Sequence, residues 1–428
     1  MEGIKILKYF GIQLILHKRC VTIFQICIFF IYLVIIYGQE NTYTAYLFAY
    51  FTGNSGNQEA IRFGLSTDGF NYKALNGNAP ILSSDKISAT GGVRDPHILR
   101  GINGKYYYMA VTDMVSANGW NSNHGIVLLK STDLINWTSS AIDIKAKFSE
   151  FNTIDRAWAP QIIYDSAQKK YMVYFSLHKP GKKDIIYYSY TNDEFTDLIS
   201  TPIPLYADPN NSSCIDADIV YKDKKYYLFH KNETGGGIYV AVSDKLTEGY
   251  VLVNKPVDQT ASAVEGSCVF KLIHADTYVL LYDVYNSGTY QFTTSTDLLH
   301  FEVFNEVSMN FKPRHGTIIP ITQSAVNLLT KKWGNPFNVS VPASNYVCEH
   351  KNHIVINTLY NTMYLPEKKY LLLKIYDLLG REVITLIDGH KKAGYYSLSL
   401  DGTRLSKGTY FYHVQSENFI EIKKMIYR

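Results

Sequence analysis

The chain has 428 residues, enough for two or three domains, and is rich in aromatics, with 36 Tyr and 21 Phe. Its formal charge is +4, and without the first 38 residues 38 basic side chains face 37 acidic ones. That balance excludes the basic surface that nucleic acid requires, and the abundance of Tyr and Phe favours strands.

The N-terminus reads as an export signal. Lys5, Lys8, His17, Lys18 and Arg19 form a basic stretch, Val21 to Tyr37 is apolar apart from Gln25, and small Gly38 precedes Gln39-Glu40, where cleavage is expected. The alternative is an uncleaved anchor, because the apolar run of 17 residues is near the lower limit for spanning a bilayer. Two cysteines, Cys20 and Cys27, fall in this segment. The other three, Cys214, Cys268 and Cys348, are too few for a disulfide framework, although a Cys214–Cys268 bond is conceivable and Cys268 otherwise reads as a small buried apolar residue.

Two interleaved repeats follow. One opens five segments in the same way: Asp95-Pro96-His97-Ile98, Ala159-Pro160-Gln161-Ile162, Asp216-Ala217-Asp218-Ile219, Glu265-Gly266-Ser267-Cys268 and His315-Gly316-Thr317-Ile318, with first residues 64, 57, 49 and 50 apart. The other is an apolar strand ending in a Ser/Thr-x-Asp corner, with copies at Asp68, Asp133, Asp193, Asp244 (one residue shorter) and Asp297. Between them run aromatic strands such as Lys105–Met109, Lys170–Phe175, Lys225–Phe229 and Thr277–Leu281. A β-rich period near 50 predicts propeller blades. The series starts with an orphan corner and ends with an orphan opening strand, so Tyr46 to Tyr72 should complete the blade that runs through His315. The expected fold is therefore all-β: a five-bladed β-propeller over residues 39–325, closed by N-terminal strands. A linker is expected over 326–354, with Lys331-Lys332-Trp333-Gly334 in it. Residues 355–428, where Leu371–Asp377, Gly394–Leu398 and Leu405–Tyr412 read as strands, suggest a small β-sandwich.

The repeat places Asp95, Asp216 and Glu265 at equivalent points of three blades, converging on one axis. Packing accounts for the column of small residues but not for three carboxylates, which are costly to bury without a task. Hydrolysis of a glycosidic bond needs one carboxyl to protonate the leaving oxygen and a second to activate water or attack the sugar, and a third acid nearby can hold the donor's proton. A purely metal-binding site is the rival reading, with His315 as the other ligand.

The five motifs, read as Arg94-Asp95-Pro96-His97-Ile98, Trp158-Ala159-Pro160-Gln161, Ile215-Asp216-Ala217-Asp218, Val264-Glu265-Gly266-Ser267 and Arg314-His315-Gly316-Thr317, resemble in order the blade openings of glycoside hydrolase family 43. The resemblance implies a secreted inverting glycosidase acting on terminal arabinofuranosyl, xylosyl or galactosyl residues of plant-type polysaccharides. Asp95 would be the general base, Glu265 the general acid and Asp216 the acid that tunes and orients the donor. His315 would sit near a water-coordinated Ca2+, with no other cofactor required, and Trp158 would wall the sugar pocket. The family often has Pro after the third-blade acid, where this chain has Ala217 and then Asp218. Asp216 keeps the register, while strand alternation would put Asp218 on the same face.

Arg94, Arg314, Trp120 and Asp155 are further candidates for substrate binding. Asp113, Asp283 and Glu233 are weaker ones. Lys374–Val383, Gly408–Tyr412 and Lys423-Lys424-Met425 resemble the type A sorting domain of the type IX secretion system, which implies export across the outer membrane of a Bacteroidetes-type bacterium. The alternatives are a carbohydrate-binding sandwich for the C-terminal segment and, for the propeller, a non-catalytic glycan binder or a mannoside phosphorylase-like enzyme; an intact Asp95 argues against the last. The protein is expected to act as a monomer.

Overall fold

The computed structural model describes residues 43–337 apart from 254 and 274, and within the C-terminal segment residues 355–357, 362–365, 368–392, 394–397, 408–416 and 419–427. The expected signal peptide, Cys348 and the linker beyond residue 337 lie outside the described residues.

The protein is all-β, and a succession of antiparallel sheets, most of four strands, is consistent with a propeller. The first four sheets are each a meander. They open with Val93–Arg100, Arg156–Asp165, Cys214–Lys222 and Glu265–Lys271. In the fifth, Gly316–Thr322 pairs antiparallel with Tyr43–Tyr50, which continues into Arg62–Ser66 and Asn71–Ala74. The N-terminal strands thus complete the sheet entered through His315, as the two orphan repeats require. The opening strands touch one another in cyclic order, the fifth returning to the first. Hydrogen bonds stitch neighbours together. The Ile162 amide donates to His97 Nδ1 (3.2 Å), the Val269 amide to Asp218 Oδ2 (2.6 Å) and Thr317 Oγ1 to the Pro96 carbonyl (3.0 Å). Burial lowers the His97 pKa to about 3, so its ring is neutral and free to accept.

Each of the first four opening strands is interrupted by a β-bulge, between Arg94/His97, Trp158/Gln161, Ile215/Asp218 and Glu265/Cys268. The bulged residues Asp95, Ala159, Asp216 and Gly266 all have φ between 48° and 65°. A bulge is where a strand tolerates proline and positive φ, which explains Pro96 and Pro160. It also corrects the repeat. Gly266, not Glu265, is the structural counterpart of Asp95 and Asp216, and Glu265 stands one residue earlier, level with Arg94, Trp158 and Ile215.

Three corners behave as the motif predicts. Ser66, Ser131 and Ser295 donate to Asp68, Asp133 and Asp297, whose carboxylates accept backbone amides of the turn. The other two differ: Asn192 replaces Asp193 as the acceptor for its turn, and Asp244 pairs with Lys225 instead.

Residues expected to open the linker form a helix, Gln323–Trp333, whose N-cap Thr322 accepts the Ala325 amide. It buries Ala325, Val326 and Leu329 against the core between the fifth and first sheets, and Trp333 meets Phe63 edge-on. The apolar spacing of this stretch is helical, and its charged Lys331-Lys332 pair faces away. Cys214 and Cys268 are both buried free thiols, so the conceivable disulfide is not formed. In the C-terminal segment, Glu382–Lys391, Lys369–Asp377, Gly408–Ser416 and Phe419–Tyr427 form one sheet, and Val355–Asn357, Thr362–Leu365 and Gly394–Ser397 another. Among the described residues, no helix is long and apolar enough to cross a membrane.

The fifth sheet has a tight point at Gly316, which pairs with Tyr50; a Cβ there would lie 1.9 Å from the Ala49 carbonyl oxygen. Gly316→Ala is expected to destabilise the protein by about 3 kcal/mol, a strand-displacing clash with backbone, read as a lowered urea midpoint.

Candidate active site

The bulges aim their residues at His315, which is buried. Its Nδ1 lies 3.4 Å from Asp95 Oδ1 and 3.7 Å from Asp216 Oδ2, and its Nε2 lies 2.9 Å from Glu265 Oε1 and 4.0 Å from Asp283 Oδ2. Gly266 must be glycine here for two reasons. Its φ is +65°, and a Cβ would lie 2.4 Å from His315 Cδ2. Thr112 Oγ1 donates to Asp95 Oδ2 (2.7 Å), and the Gly266 amide donates to Asp216 Oδ2 (3.0 Å). Glu265 is held by Arg314 and by Lys231 Nζ at 3.3 Å; Arg314 Nε donates to Asp283 at 2.5 Å, and Lys231 also pairs with Glu233 at 2.6 Å.

Ionisation follows from this layout. Burial alone would raise Glu265, but the charges of His315, Lys231 and Arg314 outweigh it and hold the carboxyl far below its usual range. Burial likewise opposes ionisation of Asp95, yet contacts with His315, Arg94 and Thr112 keep it lowered. Asp216 goes the other way. Burial pushes it up to about 6 against the pull of His315, and the nearby Glu265 and Asp95 charges add to the rise. His315 is raised well above the ordinary histidine value despite its burial, because Glu265 and Asp216 flank it.

The chain matches, over residues 41–327 or about two thirds of its length, a family model described as “Probable glycosyl hydrolase domain”, a relative of glycoside hydrolase family 43. It belongs to that family. A second model, the secretion system C-terminal sorting domain, matches residues 351–428. The sorting tail makes this a secreted or cell-surface protein of the type IX route in Bacteroidetes. An alpha-L-arabinofuranosidase of Bifidobacterium longum subsp. longum is 28% identical over 235 residues, covering 50% of this chain and 21% of its own; the chain thus spans about a fifth of that relative's length. Among solved structures, a GH43 protein of Bacillus licheniformis shares 12% identity over 90% of this chain and 87% of its own, with a TM-score of 0.46. An endo-1,4-beta-xylanase of Bacteroides thetaiotaomicron shares 16% over 65% and 98%, with a TM-score of 0.45.

In this glycoside hydrolase the other residues singled out by sequence are placed as follows. Trp158 is half-buried, its Nε1 donating to Asn123 (2.6 Å), with the Arg156 guanidinium over its ring at 4.2 Å and Trp120 edge-on at 6.2 Å. Trp120 is 51% exposed. Arg94 is committed elsewhere: buried, it pairs with buried Glu59 at 3.0 Å, bonds Asn54 and is sandwiched between Phe51 and Trp120. Its guanidinium therefore supports the Trp120 ring. Arg314 is likewise engaged by Glu265 and Asp283. Asp155 is outside the cluster, paired with His178 at 2.5 Å. Asp113 accepts the amides of Ala89 and Thr90 and shapes that loop. Asp218, expected on the same face as Asp216, is turned away by the intervening bulge and instead binds the Val269 amide.

Sequence reasoning missed Lys231 and Thr112. Both belong to a column of which it singled out Asp283 alone: Thr112, Ser176, Lys231 and Asp283 lie directly across from Arg94, Trp158, Ile215 and Glu265, the residues just before each bulge. A charged side chain ending an otherwise apolar strand, as in Phe229-His230-Lys231, was the available signal. The cluster does not fit a directly bound Ca2+, which takes six to eight oxygen ligands: Glu265 already faces Arg314, Lys231 and a charged histidine.

Burial raises the Asp218 carboxyl to about 7. Its folded-state value thus exceeds the unfolded one, so its contribution to stability is full below the ordinary Asp range and is lost as pH rises through 7. Asp218→Asn can still accept the Val269 amide and does not titrate. Relative to wild type it should gain about 2–3 kcal/mol between pH 5 and pH 8, read from urea midpoints at the two values.

Proposed function

We propose that the five sheets are the blades of a closed propeller over residues 39–325, and that residues 355–428 form the sorting domain behind it. The hub removes a terminal arabinofuranosyl, xylosyl or galactosyl residue from a plant-type polysaccharide by single displacement. The arabinofuranosidase similarity favours the first of these sugars.

The observation that carries this reading is the position of Asp95 and Glu265 on opposite nitrogens of one imidazole. An imidazole and two polar contacts separate them, which suits the spacing of roughly 6.5–9.5 Å that leaves room for an attacking water, rather than the ~5 Å of a nucleophile pair. Asp95 is ionised and hydrogen-bonded, as a base that must accept a proton from water should be. The acid needs a proton at working pH, and Glu265 alone does not keep one. Asp216 does near pH 6, and it has an oxygen within 4.8 Å of one on Glu265. Two carboxylates this close titrate as a pair sharing a proton. Glu265, nearer the mouth, delivers it to the leaving oxygen, and Asp216 restores it.

Glu265→Gln is expected to lower turnover of substrates with poor leaving groups by ~10²–10⁴-fold, while an activated aryl glycoside is far less affected. Asp95→Asn should be slow on both, because water activation is lost whatever the leaving group. NMR of the first-formed sugar should show the inverted anomer; retention would overturn the single-displacement reading. If Asp216→Asn rather than Glu265→Gln shows the leaving-group dependence, Asp216 is itself the donor, the reading that its raised pKa favours.

A further inference from the structure

Away from the hub, three metal-binding types of side chain converge in the seam between the second and third sheets. Asp208 follows the last strand of the second sheet, Ile203–Tyr206; Cys214 begins the third, and His230 lies on its neighbour, Lys225–Asn232. One carboxylate oxygen, the sulfur and one ring nitrogen all lie within 4.8 Å of one another. All three residues are buried, His230 and Cys214 completely. Neither nitrogen of His230 makes a well-formed hydrogen bond, although the Leu228 backbone interacts with the ring, and its Nε2 is 3.9 Å from Asp208 Oδ2, too far for one. The Cys214 sulfur makes a long hydrogen bond of 3.8 Å to the Ser212 carbonyl and also meets the Asp208 backbone. Asp208 Oδ1 accepts the Asn210 amide at 2.7 Å, which leaves Oδ2 toward His230. The Tyr206 hydroxyl, on a ring 4.9 Å from that of His230, is also buried without a partner.

Burying the His230 nitrogens and the Tyr206 hydroxyl unpaired is costly, and native interiors avoid it. The convergence of a thiol, an imidazole and a carboxylate resolves the cost if a cation lies between them. We infer that Asp208, Cys214 and His230 form a Zn2+ site, its fourth position filled by a water, that staples the second sheet to the third. Thiolate with imidazole selects zinc over the oxygen-seeking Ca2+ and Mg2+. Zinc bonds of about 2.0–2.3 Å hold tetrahedral ligand atoms roughly 3–4 Å apart, so the three need only draw slightly closer. On binding, Cys214 gives its thiol proton to solvent and coordinates as thiolate, and His230 coordinates neutral. Cys268, the other described free thiol, has no such company; its sulfur accepts the Ile318 amide. The staple matters to the hub because His230 is followed by Lys231, which faces Glu265.

The test uses the untagged full chain, freed of metal by chelator and then dialysed against Zn2+ or Co2+. Wild type and Cys268→Ser should bind one ion per chain, with a thiolate-to-cobalt charge-transfer band in the Co2+ form, and zinc should raise the melting temperature by several degrees. Cys214→Ser should lose the band and bind at least tenfold more weakly. Should that variant fail to fold, Asp208→Asn, in a connecting loop, should weaken binding by a similar factor. No stoichiometric metal in folded wild type, no charge-transfer band, or a band that survives Cys214→Ser would each overturn the assignment.

Discussion

The site depends on burying a nearly balanced set of charges around one histidine. Asp95, Asp216, Glu265 and Asp283 approach His315 within 4.0 Å, and Arg314 and Lys231 complete the group. Four acids against three cations leave an excess of one negative charge when all are ionised. In water that excess would be trivial, but in a low-dielectric hub it is not, and a proton is the cheapest way to remove it. Asp216, raised to about 6, and Asp283, raised in the same direction by burial, are where the balance falls. The proton that the proposed reaction needs is thus held by burial of Asp216, reinforced by the neighbouring Glu265 and Asp95 charges. Removal of any one cation would demand a second proton and change the ionisation of the whole cluster.

This balance rests on backbone geometry. Without the bulges, Asp95 and Asp216 would alternate along a regular strand, and their orientation would be shared by His97 and Asp218. The bulge spends one residue in a left-handed conformation, a modest strain of the kind concentrated at functional sites, and so separates Asp216 from Asp218. One goes to His315, the other to the neighbouring sheet's backbone. Strand alternation alone could not have distinguished them, and it is here that sequence reading went astray. It aligned Glu265 with the bulged acids because Gly266 matches the small second position held by Pro96 and Ala217, while the backbone aligns Gly266 with the acids themselves. Glu265 reaches the hub from the position before the bulge, the one occupied elsewhere by Arg94 and Trp158, and Gly266 is small because His315 lies over it.

Much of the rest was legible because it is periodic. Alternating orphans in two repeats required the chain's first strands to pair with its last opening strand, and Tyr43–Tyr50 does so with Gly316–Thr322. The Ser-x-Asp corners at Asp68, Asp133 and Asp297 could be read because their hydrogen bonds are local, within three residues. Asp193 and Asp244 share the letters but not the geometry, since at one corner Asn192 is the better-placed acceptor and at the other the turn is a residue shorter. Lys231 was missed for the opposite reason: its position at the end of a strand hints at a task, but its partner Glu265 is 34 residues away and only the strand pairing brings them together. The helix Gln323–Trp333 was overlooked because a lysine pair and a following glycine suggested a linker, although Ala325, Val326 and Leu329 share one face.

The same contrast bears on where selectivity resides. The hub is stitched through its backbone, from Thr317 to Pro96 and from Val269 to Asp218, so it tolerates little variation in shape. Arg94 is locked by Glu59 and cannot reorient toward a sugar. The rim is different. Trp120 is half exposed, stands edge-on to Trp158 and is steadied by Arg94 from beneath. An aromatic face with a cation behind it suits the apolar side of a sugar ring and exacts little side-chain entropy on binding. On the proposed reading, discrimination among sugars would lie in loop residues that carry no repeat signature, and the chemistry in a cluster whose residues are fixed by the fold. A single sequence therefore reveals the reaction class more readily than the substrate.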